Sequence, residues 1–575
     1  MRHLIDCAAK RTPCDLVITD ATIFNVFTGT FEQGDIAVAD GKIVGIGSGY
    51  QAKKAYSAKG LVALPGFLDA HVHVESSLLS PEEFASLACA HGTTGIVADP
   101  HEIVNVCGIV GAEYMAEAFS RLKADGVSPL DVYLQLPSCV PATPFETSGA
   151  IIGADETAAQ IVRPLFNGLG EMMNYPGVMY GDEETLKKLQ ATQEAGKVID
   201  GHAPCVSGDL LNAYLCGGIK TDHECACPEE CAEKVAKGMY VQLRNGSSTR
   251  NLLVNYQAMT PFNFRRFILC SDDKNANDLF TNGHMDDALR RLVGKGVAPE
   301  TAICTATINT AECYGFKTKG AIAPSYDADI VLVGDVKDFR VKAVFKNGVL
   351  TAENGTALFD SAHRYFRDEI RGTVRIKPIK QEDFAIDCKS GVVRAMRVLE
   401  HTLVTECVET PVVCKDGDIV VKGTNLLKLA VVERHFASGN IGLGILKDYG
   451  FKGGAIGISV AHDSHNLVVL GDDNAAMVRV CELLNEAGGG MALVSEETEE
   501  CFPLDIAGLM SSAPCREVVE QTAKIAEHAR RMGVREEYEP FMTLVFLSLA
   551  VIPKLKLTDR GLFDVEKFQF TDLEV

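Results

Sequence analysis

The sequence predicts an α/β protein: a (β/α)8 barrel, a small β-rich domain split around it, and an additional C-terminal α/β or α+β domain. Three observations carry this reading. Strand-like and helix-like segments alternate through a middle stretch of about 250 residues, the size of eight βα units. β-rich runs with tight-turn signals flank that middle on both sides. A last stretch, from about Ile376 to Val575, has patterning of its own.

Residues 15–63 open the chain as short strands. Leu16-Val17-Ile18 and Ile23-Phe24 are β-rich, and Ile36–Val38 and Ile43–Ile46 flank Asp40-Gly41. An Asp-Gly pair between two such runs signals a hairpin, because glycine tolerates the positive φ of a type I′ turn. The pattern returns at Asp329–Val333 and Val341–Phe345, followed by Asn347-Gly348. The predicted divisions are 1–63 plus 318–375 for the split sheet domain, 64–317 for the barrel and 376–575 for the last domain.

In the middle, strands are expected to end near His73, Asp99, Ser138, Glu171, His202, His223, Asn245 and Asp272, with Pro81–Ala90 and Glu183–Ala195 among the helices between them. In the last region Asp472-Asp473 opens a helix. Met477, Val480, Leu484 and Ala487 recur along one face, and Gly488 ends it in the left-handed conformation common at helix ends. Gly488-Gly489-Gly490 follows this helix, whereas anion-binding glycine loops precede one, so no phosphate cradle is read there.

The chemistry falls at strand ends. His71 and His73 alternate onto one face of the first strand, where two imidazoles can serve one metal. Glu171, His202, His223 and Asp272 follow at intervals that place them at the ends of strands 4, 5, 6 and 8. Strand C-termini build the active site of such a barrel, so the six converge. Four histidines and two carboxylates exceed the needs of one ion and suit two divalent ions with Glu171 bridging. Such a pair activates water near neutral pH, and Asp272 is placed both to ligate and to accept the proton of that water.

His101 and Glu102 read as the end of strand 2, either touching substrate and shuttling protons or orienting the ligand histidines. Asp273, beside Asp272, reads as a supporting group. Arg244 and Asn245 at the end of strand 7 are candidate substrate contacts, with a surface-loop role open for both. His462 and His465 fall on a turn outside the barrel and by spacing alone signify little. Cys225, Cys227 and Cys231 lack the second pair of a zinc finger and read as buried or incidental thiols.

The balance of 55 Lys+Arg against 77 Asp+Glu, a net charge of −22, disfavours nucleic acid and anionic membranes as partners. The apolar run Phe541–Ile552 falls short of a membrane helix, which needs roughly 20 residues. No signal-peptide core follows Met1. The 19 cysteines in 575 residues read as reduced thiols. A cytoplasmic protein is expected, and the large extra domain favours a homo-oligomer, a homodimer first.

The run Pro65-Gly66-Phe67-Leu68-Asp69-Ala70-His71-Val72-His73, with the Glu/His/His/Asp series, resembles the amidohydrolase superfamily. Asp99-Pro100-His101-Glu102-Ile103-Val104-Asn105, Gly170–Gly177, Asp200-Gly201-His202, His462-Asp463-Ser464-His465-Asn466 and the terminal Leu573-Glu574-Val575 are similar to the adenine deaminases within it. The likeness spans nearly the whole chain. Many superfamily members bridge their metals with a carboxylated lysine, and Glu171 at that position fits the adenine deaminases instead. The resemblance implies hydrolysis of adenine to hypoxanthine and ammonia in purine salvage, by hydroxide attack at C6. It also implies manganese or ferrous iron, zinc less so, and a role for the His462–Asn466 run, with His465 near the purine, in closing the barrel mouth or shaping the purine pocket, with a fold-stabilising hydrogen-bond network as the equal alternative. The alternatives are another amidohydrolase, acting on a cyclic amide or a different base, and a non-catalytic scaffold with the same fold.

Overall fold

The computed structural model describes residues 1–247, 249–399 and 404–575. They form two compact units. One comprises Met1–Pro100, Met115–Ser138 and Gly153–Tyr365, and the other His101–Tyr114, Cys139–Ile152 and Phe366–Val575.

In the first unit eight strands repeat a TIM-barrel-like βα pattern: β1 (Phe67–Val72), β2 (Thr93–Ala98), β3 (Asp131–Leu136), β4 (Gly168–Met172), β5 (Val198–Gly201), β6 (Thr221–Asp222), β7 (Tyr240–Arg244) and β8 (Phe267–Cys270). The first five pair in parallel in sequence order, and so do the last three. The Lys220 N–H donates to the Ile199 carbonyl at 3.0 Å beside β5 and β6. The Asp272 N–H donates to the His71 carbonyl at 2.9 Å, joining the last strand back to the first. Every residue of β1, β2, β4 and β8 is buried, as expected of parallel strands covered on both faces.

Helices between the strands start where side chains satisfy free N–H groups. Ser80 caps α1 (Pro81–Ala90) by accepting from the Glu83 N–H, with Pro81 at the first position. Glu82 and Glu83 there favour the positive helix end. A nine-stranded sheet combines strands from 14–65 with strands from 330–357, and Val62–Pro65 pairs antiparallel with Ile330–Val333. Lys319 and Lys346, both buried, fasten this sheet to the barrel. Their ammonium groups meet Asp131 at the start of β3 at 2.5 and 2.9 Å and Asp329 at 2.8 and 3.1 Å.

The second unit is built on an eight-stranded sheet. Its strands are β9 (Val392–Val398), β10 (Thr405–Pro411), β11 (Leu426–Val432), β12 (Ile441–Lys447), β13 (Gly454–Ile458), β14 (Leu467–Gly471), β15 (Gly490–Ser495) and β16 (Glu499–Pro503), in the order β10-β9-β12-β11-β14-β13-β15-β16.

This grouping differs from the three-part division expected from sequence. The split sheet and the barrel form one unit, held by the Lys319 and Lys346 pairs. Two segments inside 64–317 belong to the second unit, because their polar groups are satisfied there: Thr147 donates to Asp559, Ser148 to Asn105, and Glu102 meets His462 and His465. His101 and Glu102 also do not end a strand. Strand β2 stops at Ala98, and the two residues open a short helix, α2 (His101–Cys107). Further along the second unit, helix α3 (Asn474–Ala487) buries Met477, Val480, Cys481 and Leu484; Asp473 caps its start, and Gly488 ends it at φ +76°.

Candidate active site

The barrel brings together all six residues expected to hold metal. His71 and His73, at the end of β1, turn their Nε2 atoms to within 3.0 Å of each other. Glu171 on β4 stands between two histidine pairs. Its Oε1 lies 3.2 Å from His73 and 3.9 Å from His71, and its Oε2 lies 2.6 Å from His202 and 3.2 Å from His223. Asp272, just beyond β8, brings Oδ1 to 3.2 Å from His73 and 3.5 Å from His71. It does so from a left-handed backbone at φ +54°. That conformation is unusual for a non-glycine residue.

Neighbouring groups aim these side chains. His73 Nδ1 lies 2.9 Å from the Asp99 carbonyl. That oxygen can only accept, so Nδ1 is the donor and a neutral ring presents the Nε2 lone pair to the site. The Asp99 carboxylate accepts from the Glu171 N–H at 2.9 Å. It lies so close to β4 that a Cβ at Gly170 would fall 2.1 Å from it, which only glycine allows. His71 and His223 stack with ring centroids 4.4 Å apart.

The donor set fits divalent metal. Oxygens of Glu171 and Asp272 each stand 3.2 Å from His73 Nε2. A lone pair and two buried carboxylates facing one another are an arrangement that a cation must neutralise. Without metal the imidazoles carry that charge as protons. Burial lowers their proton affinity, but Asp272 and Glu171 outweigh it at His73, which is held well above its usual value, and Glu171 pushes His223 up to about 9. Opposite charges at such range favour the charged form. His71 goes the other way, lowered by burial and by His223. The ligand atoms fall into overlapping sets of His71, His73, Glu171 and of Glu171, His202, His223, with Glu171 common to both, and a further set of His71, His223, Asp272.

A family model described as "Amidohydrolase family" matches residues 62–351, and one described as "Adenine deaminase C-terminal domain" matches 402–569. The chain is 44% identical over 577 residues to adenine deaminase of Nitratidesulfovibrio vulgaris (strain DP4), covering 100% of this chain and 99% of that one. It is 46% identical over 582 residues to adenine deaminase 2 of Desulfotalea psychrophila, with the same coverage. The chain belongs to the adenine deaminase family. An adenine deaminase of Geobacillus kaustophilus, 40% identical, likewise covers 100% of this chain and 99% of its own.

Against that family background, the other candidate residues divide. Arg244, a candidate substrate contact, spans two carboxylates, with Nη1 2.7 Å from Asp272 Oδ2 and Nη2 3.2 Å from Glu224 Oε2. Asn245 donates to Asp287 at 2.9 Å, and Asp273 accepts from Ser76 at 2.5 Å. Cys225 donates to Asp222 at 3.2 Å, and Cys225 and Cys231 are buried free thiols. His101, Glu102, His462 and His465 assemble in the second unit around the Glu102 carboxylate. The sequence reading missed Glu224. Its Oε1 lies 3.6 Å from His223 Nε2, and the adjacent His223-Glu224 pair was the available signal.

Proposed function

We propose that this protein hydrolyses adenine to hypoxanthine and ammonia. The observation that carries the reading is the Glu171 carboxylate, one oxygen facing His71 and His73 and the other facing His202 and His223, in a chain related over its full length to adenine deaminases. His71, His73 and Asp272 would hold one divalent ion and His202 and His223 the other, with Glu171 shared. Bound ions would supply Lewis-acid polarisation and lower the pKa of water.

Asp272 is the residue best placed to move protons. Its Oδ1 faces the histidine pair, and its Oδ2 is held by Arg244. We assign it the acceptance of the proton from the water that adds to C6. The same carboxyl then returns that proton to the departing amine, ammonia leaves as the C6–N1 double bond re-forms, and transfer of the C6 hydroxyl proton to N1 gives the carbonyl of hypoxanthine. Arg244 orients Asp272, and Glu224 neutralises Arg244. Imidazole and carboxylate donors accept several divalent ions, and the likeness to adenine deaminases favours Mn2+, with Fe2+ the next choice and Zn2+ after it.

A panel of adenine, guanine, adenosine, cytosine and dihydrouracil, offered to metal-loaded protein, tests the assignment. Ammonia release from adenine alone is expected. Preferential turnover of another base, or opening of the cyclic amide, would replace it.

A further inference from the structure

The second unit gathers its own set of metal-type donors. Glu102, in the first turn of α2, meets the His462–Asn466 turn, which comes from a distant part of the chain. His101, Glu102, His462 and Asp463 are all buried, and one donor atom from each lies within 4.8 Å of the others.

The hydrogen bonds divide the Glu102 carboxylate into two differently treated oxygens. His465 accepts the Ala461 N–H at Nδ1, at 3.1 Å, and its Nε2 meets Glu102 Oε2. A neutral ring that accepts at one nitrogen carries its proton on the other, so Nε2 donates to the carboxylate. The backbone at His465 is left-handed, at φ +54°, and Arg434, fully buried, donates to the His465 carbonyl. That oxygen and that ring are therefore committed to each other.

Glu102 Oε1 is treated otherwise. It is buried and accepts no hydrogen bond, although His462 Nδ1 stands 2.7 Å away and His101 Nε2 3.3 Å away. Asp463 Oδ1 is 3.7 Å from the same His462 nitrogen. Two ring nitrogens and a second carboxylate gathered this closely about one buried carboxylate oxygen are disposed as ligands around a common point. Ligands bound at roughly 2.0–2.1 Å around a tetrahedral ion stand about 3.3 Å from one another. The observed separations bracket that value.

We propose that His101, Glu102, His462 and Asp463 form a further divalent-metal site, distinct in its ligands from the strand-end set. Two neutral imidazoles and two carboxylates leave the site neutral around a doubly charged ion, which satisfies Glu102 Oε1 without protonating a buried histidine. The ion ties α2 to the turn between β13 and β14, and so stabilises the second unit. The proposal does not depend on the reaction assigned to the barrel.

The test is metal counting on the full-length protein, stripped with a chelator, reloaded with excess Zn2+ and desalted. Three zinc ions per chain are expected in the parent, and His462→Gln should lose one of them. In His202→Ala the further site should stay filled. A parent that holds two ions, or a His462→Gln protein that matches its parent, overturns the proposal, and the second result also identifies adventitious surface zinc. Zinc anomalous scattering from crystals of the parent covers the case in which the variant does not fold. A peak among His101 Nε2, Glu102 Oε1 and His462 Nδ1 supports the site, and the absence of a peak there refutes it.

Discussion

Arg244 donates to Asp272 Oδ2 at 2.7 Å, leaving Oδ1 to face His71 and His73. One carboxylate is thereby split between a fixed cation on β7 and the histidines of β1. The Asp272 carboxyl is held well below its usual range: burial alone would raise it, but Arg244 and the histidines outweigh that effect.

Replacing this cation should therefore be costly. Arg244→Met leaves the buried Asp272 carboxylate without its guanidinium partner, and removing one member of a buried pair costs about 3–5 kcal/mol. Denaturant unfolding should show that loss, and the turnover of adenine should fall with it. Wild-type stability and turnover in Arg244→Met would show that the pairing is incidental.

Asp272→Asn keeps the size of the side chain but cannot accept a proton. Turnover should fall by about 10²–10⁴, the usual worth of a positioned acid–base group. Steady-state kinetics on protein with matched metal content measures this, and a rate near the parent's would remove Asp272 from proton transfer.

Glu171→Gln should disturb both halves of the strand-end site together, since its two oxygens serve different histidine pairs. Metal analysis should show less than full occupancy, with activity falling in parallel. Unchanged stoichiometry would mean that Glu171 does not bridge.

The extent to which sequence foretold structure varied with the range of the interaction. The strand ends were legible because buried parallel strands alternate with helices at near-regular intervals, and the last barrel residues carry histidine or carboxylate. The helix at Asn474–Ala487 was legible from Asp473, the apolar spacing and Gly488. Glu224 was not, because a single carboxylate after a histidine has no periodicity to mark it. Nor were the partners of Glu102, since nothing local in the sequence links α2 to a turn so far along the chain. Distant pairing likewise groups 101–114 and 139–152 with the second unit, a grouping that no local pattern in the sequence marks.

Stability at low pH should report the Lys42–Asp327–Lys319 contacts. Burial would raise the Asp327 carboxyl, but Lys42 and Lys319 bring it to about 2. An unfolded chain holds the same group at roughly 3.9. A lowered carboxyl contributes stability above the unfolded value and loses it as pH falls through the folded one. Asp327→Asn should thus destabilise at pH 6 and matter progressively less as the pH approaches the folded value. Urea midpoints across that range check the sign, and a difference that grows on acidification would contradict it.

The most direct test incubates Mn2+-loaded protein with adenine and measures hypoxanthine and ammonia together. The two should appear in equal amounts, at a rate that collapses in Asp272→Asn. Protein that leaves adenine intact with its strand-end metals bound would contradict the assigned reaction.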